Sequence, residues 1–403
     1  MARAFWVCAD YDPNVIIATA FLIILHSANK KDVIRNLLNL LRIKSAVLSV
    51  LVLAMLAVPS YGQGFLGVSF GGDFLSVGGG ARALGMGSAQ VAITGDVTSG
   101  YWNPAGLTRI TSTEVAYMHS ERFNGIVGYD YGAVAFRLPG SDAALAVSFF
   151  RQGVDRIKNT LNAWDRERNR PRDNPADYIT EFSASDMAFF LSYANPFSEQ
   201  LQWGVSAKVV HSRLGPFANA WGYSIDAGLL YQWNDYHFGV NLMDITTMMK
   251  FWTVDAARLQ PLADEFGDVV PSGENELIRP TVKIGAGRFF DFGDFRLLVA
   301  TDTDLRFENR RAFYINAGPV SFEPHIGAEV GYRNAVFLRA GITDFATDQN
   351  SSIFISPTLG AGLQFGAFNL DYGFASFAGV SSDLGFTHRI SVNFTMGRLA
   401  GRN

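Results

Sequence analysis

The sequence predicts an all-β protein, a 14-stranded antiparallel transmembrane β-barrel with an N-terminal glycine-rich hatch. Three observations predict it. The stretch Gly78-Gly79-Gly80-Ala81-Arg82-Ala83-Leu84-Gly85-Met86-Gly87-Ser88-Ala89 is too rich in glycine for a helix interior, yet its backbone can fold tightly in a confined space. From about Thr113 to Met396 the dominant pattern has period two, the mark of strands with one apolar face. The connections between those strands alternate between short and long, as the periplasmic turns and outer loops of an outer-membrane barrel do.

Composition agrees with repeated strands and turns. Only 17% of the 403 residues are charged, while Gly (40) and Phe (33) are abundant. The single cysteine, Cys8, lies ahead of the expected processing site, so the exported chain would carry none. A secreted soluble protein would often carry disulfides, so this fits a bacterial envelope protein better. The net charge of −4 gives no basic surface for nucleic acid.

The chain divides into a presequence, 1–62, a hatch, 63–112, and a barrel, 113–403. Arg42 and Lys44 precede the apolar run Ala46–Val58 and then Pro59-Ser60-Tyr61-Gly62, the layout of a secretory signal cleaved before Gln63. The run is shorter than the roughly 20 residues that a spanning helix needs. A retained anchor is the competing reading. Residues 1–41, with a second short apolar run at Val15–Leu25, read either as a start assigned upstream of the true one or as a short membrane-associated helix.

Fourteen strand segments follow, near 113–120, 128–138, 142–151, 185–194, 201–213, 220–232, 235–243, 280–289, 293–303, 322–332, 335–343, 357–366, 368–375 and 386–396. Leu201, Trp203, Val205, Ala207 and Val209 show the alternation, set against Gln202, Gly204, Ser206 and Lys208. The second face is Gly, Ser, Asn and charge, as a polar lumen would be. Trp203, Trp221, Tyr231, Trp233, Tyr236, Tyr332 and Tyr372 fall near strand ends, where interfacial girdles belong. Segment 304–321 holds Phe313-Tyr314-Ile315, the makings of an extra strand.

Two long connections differ in character. Residues 152–184 are highly charged and read as solvated. Residues 244–279 carry Met248, Met249, Phe251 and Trp252, which mark either a partner surface or a segment packed on the barrel mouth.

Catalytic patterns are weak, and no enzymatic role is expected. Gly67-Val68-Ser69-Phe70-Gly71 matches a nucleophile elbow without the strand and helix that an elbow needs. The histidines have no metal-ligand spacing, and neither a metal nor another cofactor is expected. Lys208, Asp226, Lys283, Arg296, Glu329, Arg339, Asp371 and Arg389 fall on the inward parity of their strands. Mixed charges in a narrow lumen pair with each other or with the plug; an ion-selective ring is the alternative. Phe136, Phe150, Phe190 and Phe337 are assigned inward as well, either lining an apolar pocket or filling the lumen.

Gly80–Ala89, with Gly80, Arg82, Gly85 and Gly87, and Tyr101-Trp102-Asn103-Pro104-Ala105-Gly106-Leu107 together resemble the N-terminal signature of PorV/PorQ-type outer-membrane proteins. Those belong to the wider group resembling the FadL long-chain fatty-acid channel. The ending Leu370–Phe374 and Leu384–Ser391 is similar too, although Gly397–Asn403 trail past the last strand. The resemblance implies a role in type IX protein secretion as a non-enzymatic cargo shuttle, with a translocon and cargo C-terminal domains as partners. FadL-like relatives instead pass hydrophobic small molecules across the outer membrane. The Asn103-Pro104-Ala105 match falls in a hatch common to both groups and does not separate them.

Freed of its signal, the chain is expected to require detergent to remain monodisperse. Size-exclusion chromatography without detergent checks this, and a stable water-soluble monomer would refute the barrel.

Overall fold

The computed structural model describes residues 73–123, 125–165, 167–266, 269–270, 275–307, 315–317, 320–347, 353–376 and 386–396. The presequence, the 67–71 motif, Phe313, Tyr314 and Gly397–Asn403 lie outside them. All described residues belong to one compact unit, Val68–Asn403.

Fourteen strands form the wall. They are β1 (Glu114–Arg122), β2 (Val127–Arg137), β3 (Ala144–Asn159), β4 (Thr180–Pro196), β5 (Leu201–Leu214), β6 (Ala218–Trp233) and β7 (Tyr236–Met243). The second half is β8 (Thr281–Phe292), β9 (Phe295–Arg306), β10 (Val320–Tyr332), β11 (Val336–Thr347), β12 (Ile353–Phe365), β13 (Phe368–Ser376) and β14 (Phe386–Thr395). Each pairs antiparallel with the next, and β14 returns to β1 from Glu114↔Thr395 to Glu121↔His388. The ring therefore leaves no edge, the condition for a sheet to cross a bilayer. Among the described residues no helix is long and apolar enough to cross a membrane.

The outward face is apolar, as lipid requires. Leu191, Leu338 and Leu359 are 58%, 64% and 58% exposed, while their strand neighbours Ser192 and Arg339 are buried. Trp233, Tyr236, Phe292, Phe295, Tyr332 and Phe368 ring one end of the barrel, beside the short turns. That end is the periplasmic one and the barrel is an outer-membrane one, with its aromatic girdle at the interface.

The turns after β2, β4, β6, β8, β10 and β12 are all short. On the other side the lengths are less regular than the sequence suggests. The β5–β6 connection is only Gly215-Pro216-Phe217, because both strands run on past the residues expected to form a loop. Strands β3 and β4 likewise extend, with a bulge between Val154 and Ile157, and stay paired as far as Asn159↔Thr180.

The apolar part of 244–279 is not a free loop. Met248–Val254 forms a strand on the upper half of β6, with Phe251 opposite Trp221, and carries Glu276–Ile278 on its other side. Residues 244–247 interrupt what would otherwise be one long strand continuing β7. Ala256–Phe266 is helical. Ile315–Ala317 pairs with β10, so a short extra strand exists in that connection.

Inside the ring lie residues 73–110. They form 3₁₀ turns at Asp73–Val77 and Pro104–Arg109 and short helices at Ala81–Gly85 and Ser99–Trp102. This segment approaches the wall backbone to backbone. A Cβ on Gly204 would stand 2.5 Å from the Pro104 carbonyl carbon, and one on Gly373 would stand 2.6 Å from the Ala81 oxygen. The inward glycines of the wall thus make room for the hatch rather than for water.

Gly204→Val is expected to displace the Pro104 turn and destabilise the barrel by about 1–3 kcal/mol, the usual cost of overpacking. Gly128→Ala, with nothing within 4 Å of its added Cβ, is expected to be neutral. Proteolysis of the hatch and heat-modifiable electrophoresis of the two variants check this.

Candidate functional site

The hatch motif is built for local folding. Asn103 caps the Pro104–Arg109 turn, its Oδ1 accepting from Ala105 N at 3.2 Å, and Pro104 opens the turn where no N–H is needed. Asn103 Nδ2 donates to Val91 O at 3.0 Å within the hatch and to Leu229 O at 3.1 Å in the wall. The Trp102 indole donates to Gly79 O at 2.7 Å. Gly80 stands at φ +91° ahead of the first helix, and Gly87 at φ +60° lies against the backbone of β10 and β11. Gly85 meets Gly360 Cα where a Cβ would come within 2.9 Å.

Polar side chains of the wall then take up the backbone groups of the hatch. Asp302 accepts from Gln90 N (2.5 Å) and Val91 N (2.7 Å). Ser391 receives Ala81 N, and Thr358 receives Gly87 N, both at 3.1 Å. His325 Nδ1 lies 3.0 Å from Gly87 O, to which it can only donate. Arg389, fully buried, donates to Val77 O, Gly78 O and Gly80 O at 3.0–3.3 Å.

The inward charges form separate clusters. Arg82 of the hatch meets Glu329 (2.9 Å), which also meets Arg339 (2.5 Å), and Arg339 meets Asp371 (2.7 Å). Lys208 lies between Asp226 (3.2 Å) and Asp244 (2.7 Å). Asp244 N also donates to Asp226 at 2.8 Å, so this cluster pins the interruption after β7. Lys283 pairs with Asp304 (2.5 Å), Arg306 with Glu323 (3.1 Å), and Lys250 with Glu276 (2.9 Å). Asp304, Glu323 and His325 bring ligand-type atoms within 4.8 Å of one another. Lys283 and Arg306 already neutralise both carboxylates, so the set serves as an ion-pair cluster.

Arg296 does not join the lumen network. It starts β9 at the periplasmic rim, its side chain is half exposed, and it pairs with Asp291 at 2.7 Å. Asp244, Glu276, Asp302, Asp304 and Glu323 are interior acids that the sequence pattern did not single out. Asp244, Glu276 and Asp304 lie in segments read as loop, whereas Asp302 and Glu323 stand near strand ends on the same inward parity as Arg296 and Glu329.

The lumen has two unlike sides. From β5 to β14 it is mainly glycine, hydroxyl and paired charge, with a small apolar patch where Leu298 and Ala300 meet Met86 and Ile93 of the hatch. From β1 to β4 it is Met118, Tyr129, Tyr131, Phe150 and Phe190, all buried. Phe74, Tyr101, Tyr129 and Tyr131 surround Phe150 with ring centroids 6.0–6.4 Å apart. Burial raises the Tyr101 pKa, keeping the hydroxyl protonated as it donates to Leu75 O. Lys208 Nζ stands 5.7 Å from the Phe190 ring, where the two sides meet. Phe337 faces inward, half-buried beneath Arg339. Phe136 faces lipid instead, because β2 buries its odd-numbered residues. Of the candidate partner residues, Met248 is fully buried in the aromatic cluster and Met249 and Phe251 face outward in the wall. Trp252 donates to Glu276 at 3.2 Å.

At the periplasmic mouth a polar cleft of about 270 Å³ opens between Thr108 and Arg109 of the hatch and Gln202 and Gln232 of the wall. Arg109 donates to Thr94 O and His237 Nδ1, and burial lowers its pKa to about 10, leaving it a cation at neutral pH.

No family model matches the sequence, and no curated protein matches it. Solved structures do match. CymD, a monoaromatic hydrocarbon channel, aligns with a TM-score of 0.50 and 14% identity over 81% of this chain and 99% of its own. The Pseudomonas putida toluene transporter TodX aligns at 0.49 and 12%, over 78% of this chain and 96% of its own. A Pseudomonas aeruginosa FadL homologue aligns at 0.46 and 10%, over 78% and 98%. At such identities the likeness is one of fold alone, and it extends over nearly the whole length of CymD.

Glu329→Gln removes the charge shared by Arg82 and Arg339 and is expected to cost about 3–5 kcal/mol, as breaking a buried pair does. Urea unfolding monitored by tryptophan fluorescence checks it, with Arg296→Gln at the exposed rim as a control expected to lie within about 1 kcal/mol of the parent.

Proposed function

We propose that this barrel is a non-enzymatic channel for the uptake of hydrophobic small molecules across the outer membrane. The observation that carries the reading is the aromatic side of the lumen. A water-filled pore would be lined by polar groups all round. Here Tyr129, Tyr131, Phe150 and Phe190 on the wall meet Phe74 and Tyr101 on the hatch. Such a surface favours apolar solutes and offers hydrated ions nothing in exchange for their water. The likeness in fold to CymD, a monoaromatic hydrocarbon channel, supports the same class of solute.

The type IX shuttle reading rests on the resemblance of Gly80–Ala89, Tyr101–Leu107 and the ending Leu370–Phe374 and Leu384–Ser391, and on the apolar 244–279 segment; the first two stretches carry its hatch signature. Those residues lie inside the barrel, where a cargo domain would not meet them. The residues considered for partner docking, Met248, Met249, Phe251 and Trp252, belong to the wall. The channel is therefore the reading we put forward.

Cells producing the barrel are expected to accumulate radiolabelled toluene faster than cells without it. Phe150→Gln, which places an amide without a partner in the aromatic cluster, is expected to slow uptake about tenfold. Equal uptake with and without the barrel would remove the proposal.

A further inference from the structure

Among the described residues, the periplasmic rim holds four arginines that face solvent or lipid, and three of them have a carboxylate. Arg137 pairs with Asp142 (2.6 Å), Arg296 with Asp291 (2.7 Å) and Arg333 with Asp294 (2.8 Å). Arg288 has none within 4.0 Å among the described residues.

Arg288 sits on β8 opposite Tyr236, two residues beyond the β6–β7 turn. Its even parity turns it to the lipid side, since β8 buries Lys283, Gly285 and Gly287. The guanidinium carbon lies 4.5 Å from the Tyr236 ring centroid and 4.6 Å from that of Phe290. Nη1 donates to the Tyr236 hydroxyl at 2.7 Å, and Nε is buried without an acceptor. The group is thus held against two aromatic rings with no carboxylate partner among the described residues.

Around it lies a lipid-facing aromatic surface. Trp233 and Tyr236 stack at 6.1 Å, and Phe290 and Phe292 at 6.5 Å. Trp233 and Phe292 are 56% and 60% exposed. Rings at this depth contact the first methylenes of acyl chains, while a long cationic side chain reaches for the headgroup layer.

We propose that Arg288, Tyr236 and Phe290 form a binding site for the phosphodiester headgroup of an anionic phospholipid in the periplasmic leaflet. The planar guanidinium supplies paired donors to two phosphate oxygens, which suits Arg better than a point charge. The rings fix the guanidinium and receive the glycerol end of the acyl chains. The phosphate provides the missing countercharge, and the acyl chains restrict the occupant to a lipid.

The test uses the full chain in detergent, mixed with phosphatidylglycerol, phosphatidylcholine or inorganic phosphate, with bound molecules counted by native mass spectrometry. The parent is expected to retain phosphatidylglycerol about fivefold better than phosphatidylcholine, near the worth of one interfacial cation. Arg288→Gln is expected to abolish that preference, and Arg333→Gln to leave it intact. Equal retention of both lipids by the parent, an unchanged preference in Arg288→Gln, or phosphate binding as strong as lipid binding would each overturn the proposal. Salt supplies a measurement that needs no variant. The preference is expected to fall between low salt and about 0.5 M, as a screened ionic contact does, and a salt-independent preference would overturn it.

Discussion

A plug inside a closed barrel is possible only if its backbone finds hydrogen-bond partners, because a buried amide or carbonyl left alone costs more than a made bond returns. The hatch of this protein is mostly turns and single helical turns, so it cannot satisfy itself. The wall does it instead, and its inward residue types follow from that need. Asp302, Ser391 and Thr358 accept from hatch amides, while Arg389, His325 and Asn241 donate to hatch carbonyls. Glycines stand between these side chains because the two backbones must come close enough for short side chains to bridge them.

That constraint explains why the lumen is two-sided. From β5 to β14 the wall meets mainly hatch backbone, and its inward residues are chiefly bond makers, paired ions and glycine, apart from Leu298 and Ala300 beside Met86 and Ile93. From β1 to β4 the wall meets mainly hatch side chains, chiefly Phe74, Tyr101 and Trp102, and its inward residues are largely apolar, although Ser192 donates to Gly100 O. The same surface that packs the plug on one side is therefore the surface that an apolar solute would meet. The ion pairs keep the other side from becoming a polar pore: every charge in the Arg82–Glu329–Arg339–Asp371 chain is spent on a neighbour.

How much of this the sequence carried follows from the physics of each part. From β5 onward one face is apolar and one polar, so strand parity was plain, and Lys208, Asp226, Lys283, Glu329, Arg339, Asp371 and Arg389 were placed inward. In β2 to β4 both faces are apolar, since one meets lipid and the other the aromatic cluster. Period two is then faint, and Phe136 went to the wrong face while Phe150 and Phe190 went to the right one. The hatch motif could be recognised by its glycines and its Asn-Pro pair, but its contacts could not, because Asn103 and Leu229 stand 126 positions apart.

Residues 244–254 were the hardest to read, and the reason is instructive. A strand that continues past an interruption looks like a loop, because the alternation restarts in a new register. Asp244 and Thr247, both at φ +54°, mark the break. An aspartate tolerates that left-handed backbone better than most residues, but its buried charge needs a distant partner. Its compensation lies on β5 and β6, where Lys208 and Asp226 hold its side chain and its amide. A buried Lys with two carboxylates is an awkward arrangement if stability is the sole criterion, since one negative charge is left over. It is intelligible as a means of specifying geometry: the cluster fixes where β7 leaves the sheet, and so lets Met248 enter the aromatic side of the lumen while Phe251 continues the lipid-facing band beside Trp221. The interruption, the charge cluster and the two-sided lumen are consequences of one packing decision, and altering Lys208 alone would disturb all three.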